Sequence, residues 1–415
     1  MLQGVMNGII LGFLVLQGLC FVFRPFDNLR YQGIYHNPNL NALFYLEVLA
    51  AVLGKLLYVH KRETGRKIRI FYWLAAGVVL AFIFLSIGRS AWIASFCMTA
   101  LFLWILNRLL QKKRFWKNAG ILILCTCLMF PLCFSAARYL PAVFHHPIWF
   151  WGEYSADRVH SYDPWNTWKY VELDEFMDAA LGRILDSFQN LWEHSSLKKQ
   201  AVGQSGDGAE RQLVLLAQDS ALEEAAGMYR KPAEDVRIYG VAAVNGAVQT
   251  GAEEAGQDNR GALLETEQEM DSFLTRKTIY SYYAGRLNLR GYPEEEQGFQ
   301  LTPVYHVGHA HNIFLQYGTD FGIPVMVLFA GLAVWGALRL GKAFCRSRDI
   351  GKAVYLLYLL VPVLFGMFEY AWGTGSLSIT MLFLAFGEAM KEEPGECFIP
   401  AAKRFRIRHD KDIMK

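Results

Sequence analysis

Charge is scarce in this sequence. Only 19% of its 415 residues are Asp, Glu, Lys or Arg, while 53% are hydrophobic. A water-soluble chain of this length needs more charge on its surface, which argues against a soluble globular protein. Cysteine is absent where it would matter. Cys20, Cys97, Cys125, Cys127 and Cys133 fall in apolar stretches, Cys345 and Cys397 fall in segments expected to be cytoplasmic, and none lies between residues 138 and 311. That excludes a disulfide scaffold in the one long polar region. The "CTC" at Cys125 lacks metal-ligand spacing and reads as small packing residues. No internal repeat is present. No basic segment precedes the first apolar run, so a retained helix is expected there rather than a cleaved signal. The net charge of +3 is uninformative in total and gives no pointer to nucleic acid.

What is present is a series of apolar blocks about 20 residues long, the length that crosses the hydrocarbon core of a bilayer as a helix. Eight are expected, at 5–23, 39–59, 68–87, 91–106, 119–137, 313–338, 353–372 and 377–390. The fold class is therefore an all-α polytopic membrane protein with one large loop between the fifth and sixth spans. Four basic segments, "HKRETGRKIR", "RLLQKKRFWK", "RLGKAFCRSRDIGK" and "KRFRIRH", are separated from one another by even numbers of spans. They fall on one side, which the positive-inside rule makes the cytoplasm. Both termini are then cytoplasmic, and the loop of residues 138–311 is extracytoplasmic. Residues 1–137 carry spans one to five, 312–390 carry spans six to eight, and 391–415 form a basic tail.

The long loop has three textures. Residues 145–170, "HHPIWFWGEYSADRVHSYDPWNTWKY", are rich in tryptophan and tyrosine, which suits a membrane–water interface or a platform for sugar rings. Residues 171–194 place apolar side chains at helical spacing and read as an amphipathic helix over the outer face. Residues 195–271 hold fourteen acidic and seven basic residues with few aromatics, and read as a disordered or loosely helical acidic insertion. Order is expected to return at "FLTRKTIYSYYAGRLNLRGYPEEEQG", where aromatics interleave with Arg276, Lys277, Arg286 and Arg290.

Candidate chemistry gathers on the outer side. Arg89 lies in "SIGRSAWIA", a hairpin short enough to be only a tight turn. It either snorkels into the headgroups or clamps phosphate, whose oxygens match the fork of a guanidinium. Asn37, Pro38 and Asn39 form a turn able to cap the second span. Glu47 lies inside that span, where an acid is a functional candidate, with Lys55 two turns below as a structural partner. His306, His309 and His311 cluster ahead of the sixth span. H-x-x-H-x-H is a conceivable zinc set, but no cysteine and no clear acidic ligand accompanies it. Structural histidines at an interface, or a general base, are the other readings, and His311 is best placed for the latter because it adjoins the helix start.

These segments carry a resemblance. "HAHNIFLQYGTDFGIPVMVLF" resembles the His-Asn signature closing the large outer loop of the O-antigen ligase and polysaccharide polymerase family. "SIGRSAWIA" resembles that family's Ser-Arg hairpin, here with Gly88 before the arginine, and "GIYHNPNLNALFYL" resembles its Gly-x-x-x-Asn-Pro-Asn turn. Their order along the chain agrees as well. The resemblance implies an inverting, metal-independent glycosyltransferase of the C-type membrane architecture, with no cofactor. It implies an undecaprenyl-diphosphate-linked glycan as donor, and a glycan or lipid-linked acceptor at the outer face of the bacterial plasma membrane. His311 matches the catalytic histidine and Arg89 the arginine that holds the diphosphate. The second arginine is assigned to Arg276, with Arg286 and Arg183 as rivals, and His309, Asn312, Asn37 and Asn39 are supporting candidates. The family usually has more spans before the asparagine turn than this chain does. A flippase for lipid-linked glycan and a non-catalytic scaffold are the alternatives from other classes. A transporter would more typically carry inverted repeats or helices broken at the bilayer midplane.

Overall fold

A computed structural model describes residues 1–23, 30–33, 35, 37–111, 114–144, 171–185, 273–293, 298–302, 305–370 and 376–391. The expected aromatic stretch, the acidic insertion and the basic tail lie outside the described residues. The chain divides into two compact units, residues 1–180 with 279–415, and residues 181–278. In the second unit only 181–185 and 273–278 are described, both helical.

The first unit is built from helices. They are α1 (Leu2–Phe23), α2 (Pro38–Lys61), α3 (Arg66–Leu85), α4 (Arg89–Leu110) and α5 (Phe115–Phe144). A helix α6 at 173–185 and α7 (Phe273–Gly285) follow. After them come a hairpin of β1 (Phe299–Thr302) and β2 (Tyr305–Val307), then α8 (Ile313–Asp320), α9 (Ile323–Ser347), α10 (Ile350–Gly366) and α11 (Leu377–Met390). Among the described residues, α1 to α5 and α9 are long and apolar enough to cross a membrane, while α10 and α11 are apolar but shorter. Large apolar side chains stand exposed on the outside of the bundle, among them Leu14 on α1, Phe96 on α4, Leu132 on α5 and Leu328 on α9. Such faces are stable against hydrocarbon and not against water, so the protein is membrane-embedded.

Helix α2 is the central stave. Its spanning segment is 89% buried, against 44% or less for the others. Its sequence explains this, being apolar on every side and carrying small residues where neighbours cross. A Cβ at Gly54 would lie 2.7 Å from Met6 Sδ on α1 and 3.0 Å from Val354 on α10. Small residues let membrane helices approach closely when burial from water does not drive their association. The rings of Phe13, Tyr31, Tyr45 and Phe82 pack together where α1, the turn before α2, α2 and α3 meet. Gln17 joins them, donating to Tyr31 at 2.9 Å and accepting from Tyr45 at 2.8 Å.

The expected amphipathic segment after residue 171 is helical over 173–185. Phe176 is buried against Phe84, Phe130 and Phe134, while Glu172, Asp174, Glu175 and Asp178 are exposed.

One expectation is corrected. The apolar run 313–338 is not one span but two helices, α8 and α9, broken at Phe321–Gly322. Gly322 has φ +93°, and a Cβ there would meet Leu289 O at 2.4 Å. Across from it Gly291, at φ +81°, leaves no room for a Cβ beside Asp320 O. Only glycine fits both positions. The close approach lets Ile323 N donate to Asn288 O and Tyr292 N to Thr319 O, each at 2.7 Å, lacing the loop onto the break.

Helices α3 and α5 also approach closely, and a Cβ on Gly77 would be 2.7 Å from the backbone carbonyl of Cys125. Gly77→Ala is expected to destabilise the protein by about 1–3 kcal/mol, because backbone cannot yield as a side chain does. Thermal unfolding in detergent measures this. Gly331→Ala, whose added Cβ meets nothing within 4 Å, is the control expected to melt with the wild type.

Candidate functional site

The ends of α2, α3, α4 and α10 and the segment before α8 converge on one carboxylate. Glu369 sits just past α10, where its N–H still donates to Phe365 O at 3.1 Å, and it is 5% exposed. Its Oε1 accepts from Asn39 Nδ2 and its Oε2 lies against His311 Nδ1, both at 3.1 Å. Asn39 Oδ1 in turn accepts from Arg30 Nη2 at 2.7 Å, and Arg30 Nε donates to Ser86 O at 3.0 Å. A guanidinium only donates and a carboxylate only accepts, so the orientation of the Asn39 amide between them is dictated.

The two asparagines of the Asn-Pro-Asn turn therefore divide their work. Asn37 is the N-cap of α2 and accepts from Asn39 N at 2.8 Å, as its capping reading expects. The side chain of Asn39 is left to bridge Arg30 and Glu369. Gly88 packs against it, since a Cβ there would lie 3.6 Å from Asn39 Oδ1. Arg89 follows at once as the first, half-buried residue of α4, whose N-cap supplies no side-chain hydrogen bond. The positive end of a helix dipole and a guanidinium thus stand beside the network.

His311 is held from several directions. Its φ is +47°, in the left-handed region that a non-glycine residue occupies at a cost. The kink is secured because Tyr280 Oη donates to His311 O at 3.2 Å, while Asn312 caps α8 by accepting from Phe314 N and Leu315 N. Asn312 Nδ2 also donates to Met367 O at 2.8 Å, tying the loop to the end of α10. With Glu369 ionised, the proton of a neutral His311 ring resides on Nδ1, which leaves Nε2 as an acceptor. The imidazole can then receive a proton from a bound hydroxyl, since its side chain is 22% exposed.

The His309 ring lies 4.3 Å from that of His311 and 5.8 Å from that of Tyr370. Burial, and then the charge of His311, push the His309 imidazole down to about 4, with Glu369 opposing. It therefore stays neutral beside the pair. His306 lies on β2 opposite Gln300. Among the described residues no group of three or more His, Cys, Asp or Glu is arranged to hold a metal ion.

The loop arginines have other placements. Arg286 stacks over Tyr292 at 4.1 Å and donates to Tyr282 Oη at 2.6 Å, pinning the turn after α7. Arg183 on α6 and Arg276 on α7 lie in the parts of those helices that belong to the second unit. Glu47 is buried in α2, and Lys55 donates to Gln3 Oε1 at 2.6 Å. Sequence reasoning missed Arg30 and Glu369. Glu369 had a signal, being the sole charged residue in the run 353–372, whereas Arg30 had none beyond its place before the asparagine turn.

Comparison of the chain with protein-family models, curated proteins and solved structures returns no match.

The His309 shift sets a pH dependence. Its folded-state value near 4 lies below the unfolded value of about 6.5, so the unfolded chain binds the proton more readily between them. Stability is therefore expected to fall as pH drops from 6.5 toward 4. Melting temperatures across that range should decline less steeply in His309→Gln than in the wild type.

Proposed function

We propose that this protein is an integral-membrane glycosyltransferase that moves a glycan from an undecaprenyl-diphosphate carrier to an acceptor hydroxyl on a glycan or lipid-linked acceptor. The observation that carries this reading is the His311–Glu369 pair beside the arginine-bearing start of α4. In the proposed topology α10 and α11, extended by their flanking residues, complete eight spans. The end of the bundle bearing Glu369 then faces the extracytoplasmic side, and the basic loops and both termini face the cytoplasm.

Each part has a role in that reaction. The donor's diphosphate binds at the N-terminus of α4 against Arg89, where backbone N–H groups and guanidinium both favour an anion. Arg30 adds fixed positive charge behind Asn39. His311 Nε2 takes the proton of the acceptor hydroxyl as its oxygen attacks the anomeric carbon from the face opposite the carrier. The bond from that carbon to the phosphate oxygen breaks, and its electron pair leaves with the diphosphate. Stabilising that charge is the largest electrostatic contribution expected. Glu369 holds the imidazole in the accepting tautomer and stabilises it once protonated. No step calls for a metal.

Protein in detergent, given lipid-linked glycan in the presence of EDTA, tests the proposal by release of lipid diphosphate. The wild type should turn over, and His311→Ala should lose about 100-fold or more in rate, the usual worth of a general base. Arg89→Gln should lose a comparable factor. Donor that binds without release would instead support a carrier, and equal turnover by wild type and His311→Ala would remove His311 from the chemistry.

A further inference from the structure

The interior of the bundle holds a second feature, independent of the glycosyl-transfer reading and resting only on the protein's being embedded in a membrane. Glu47 lies nine residues into α2, roughly 14 Å along the helix axis from its start, and is 1% exposed. Neither of its carboxyl oxygens has a hydrogen-bond partner. The same is true of the Tyr358 hydroxyl on α10, which is fully buried and close enough to feel the charge of Glu47. Ser378, buried in the first turn of α11, places its hydroxyl beside Glu47 without closing a hydrogen bond. Three helices thus bring one acid and two hydroxyls together in a dry interior.

Among the described residues no cation acts on this acid. Lys55, two turns along the same helix, is held by Gln3 instead. A bare carboxylate inside a membrane takes a partner or gives up its charge. With no cationic side chain to meet it, the neutralising cation comes from outside the chain. A small hard metal ion gathers about six oxygens, whereas Glu47, Tyr358 and Ser378 together offer four. A proton asks for less. The acid O–H can be donated to the hydroxyl oxygen of one neighbour, while the remaining acid oxygen accepts from the hydroxyl of the other. Every polar atom of the cluster is then matched, and no charge is left in the hydrocarbon.

We propose that Glu47, Tyr358 and Ser378 form a proton-binding site inside the membrane, where Glu47 stands as the neutral acid and ties α2 to α10 and α11 through the two hydroxyls. Helix α2 also carries Asn39 and α10 leads into Glu369, so the bound proton steadies the two helices that meet at the candidate site. Infrared spectra of the full-length protein in mild detergent near pH 6.5 provide the test, because an ordinary glutamate is ionised there. The wild type minus Glu47→Gln should show the carbonyl stretch of a neutral acid and no carboxylate band. That stretch should stay unchanged when sodium replaces potassium in the buffer. Tyr358→Phe, which removes one partner, should shift the stretch without abolishing it. It keeps the test open if Glu47→Gln does not fold. Carboxylate bands in the first difference, bands that respond to sodium, or an acid region identical in wild type and Tyr358→Phe would overturn the assignment, the second in favour of a metal-cation site.

Discussion

A carboxyl taken out of water must be paired or give up its charge, and Glu369 is a paired one. Breaking a buried pair by removing one partner typically costs about 3–5 kcal/mol, a large part of a protein's net stability. Asn39 and His311 meet it from positions 330 and 58 residues away in the chain. Each partner is tied again, Asn39 through Arg30 to the end of α3, and His311 through its neighbour Asn312 to Met367. One buried charge thereby sets the mutual placement of the turn before α2, the start of α4, the loop before α8 and the end of α10. The close packing of α2 at Gly54 serves the same arrangement, because it brings α10 beside the helix that carries Asn39.

The two ends of the bundle use charge differently. At the Glu369 end, polar groups are largely matched into a chain of donors and acceptors, with His309 kept neutral by burial. The positive start of α4 lies beside the network that holds His311, since Gly88 packs against Asn39. At the other end, among the described residues, Arg339, Lys342, Arg346 and Lys352 line one cavity with Glu388. Between them the side chains facing outward are apolar.

The helices were legible because a run of about 20 apolar residues has few other ways to be stable. The break at Phe321–Gly322 was not, since apolar residues continue straight through it and only Gly322 and Pro324 mark it. His311, Asn39 and Arg89 were legible as polar residues at helix mouths, and the structure brings His311 and Asn39 onto the same carboxylate. Their division of labour was not legible, because Asn37 and Asn39 look alike in a three-residue turn while one caps and the other bridges. Arg30 escaped notice for a related reason. Its partners, Asn39 and Ser86, are 9 and 56 positions away, and only the folded chain makes them neighbours.

The claim on which the rest depends is that Asn39 and His311 act through one shared carboxylate. A double-mutant cycle on thermal stability in detergent, using Asn39→Ala, His311→Ala and the pair, measures it. Two changes that act on the same group should couple, so the double variant should lose less than the sum of the singles by about 1 kcal/mol. Losses that add within about 0.5 kcal/mol would mean that the two side chains do not share Glu369, and would contradict the account.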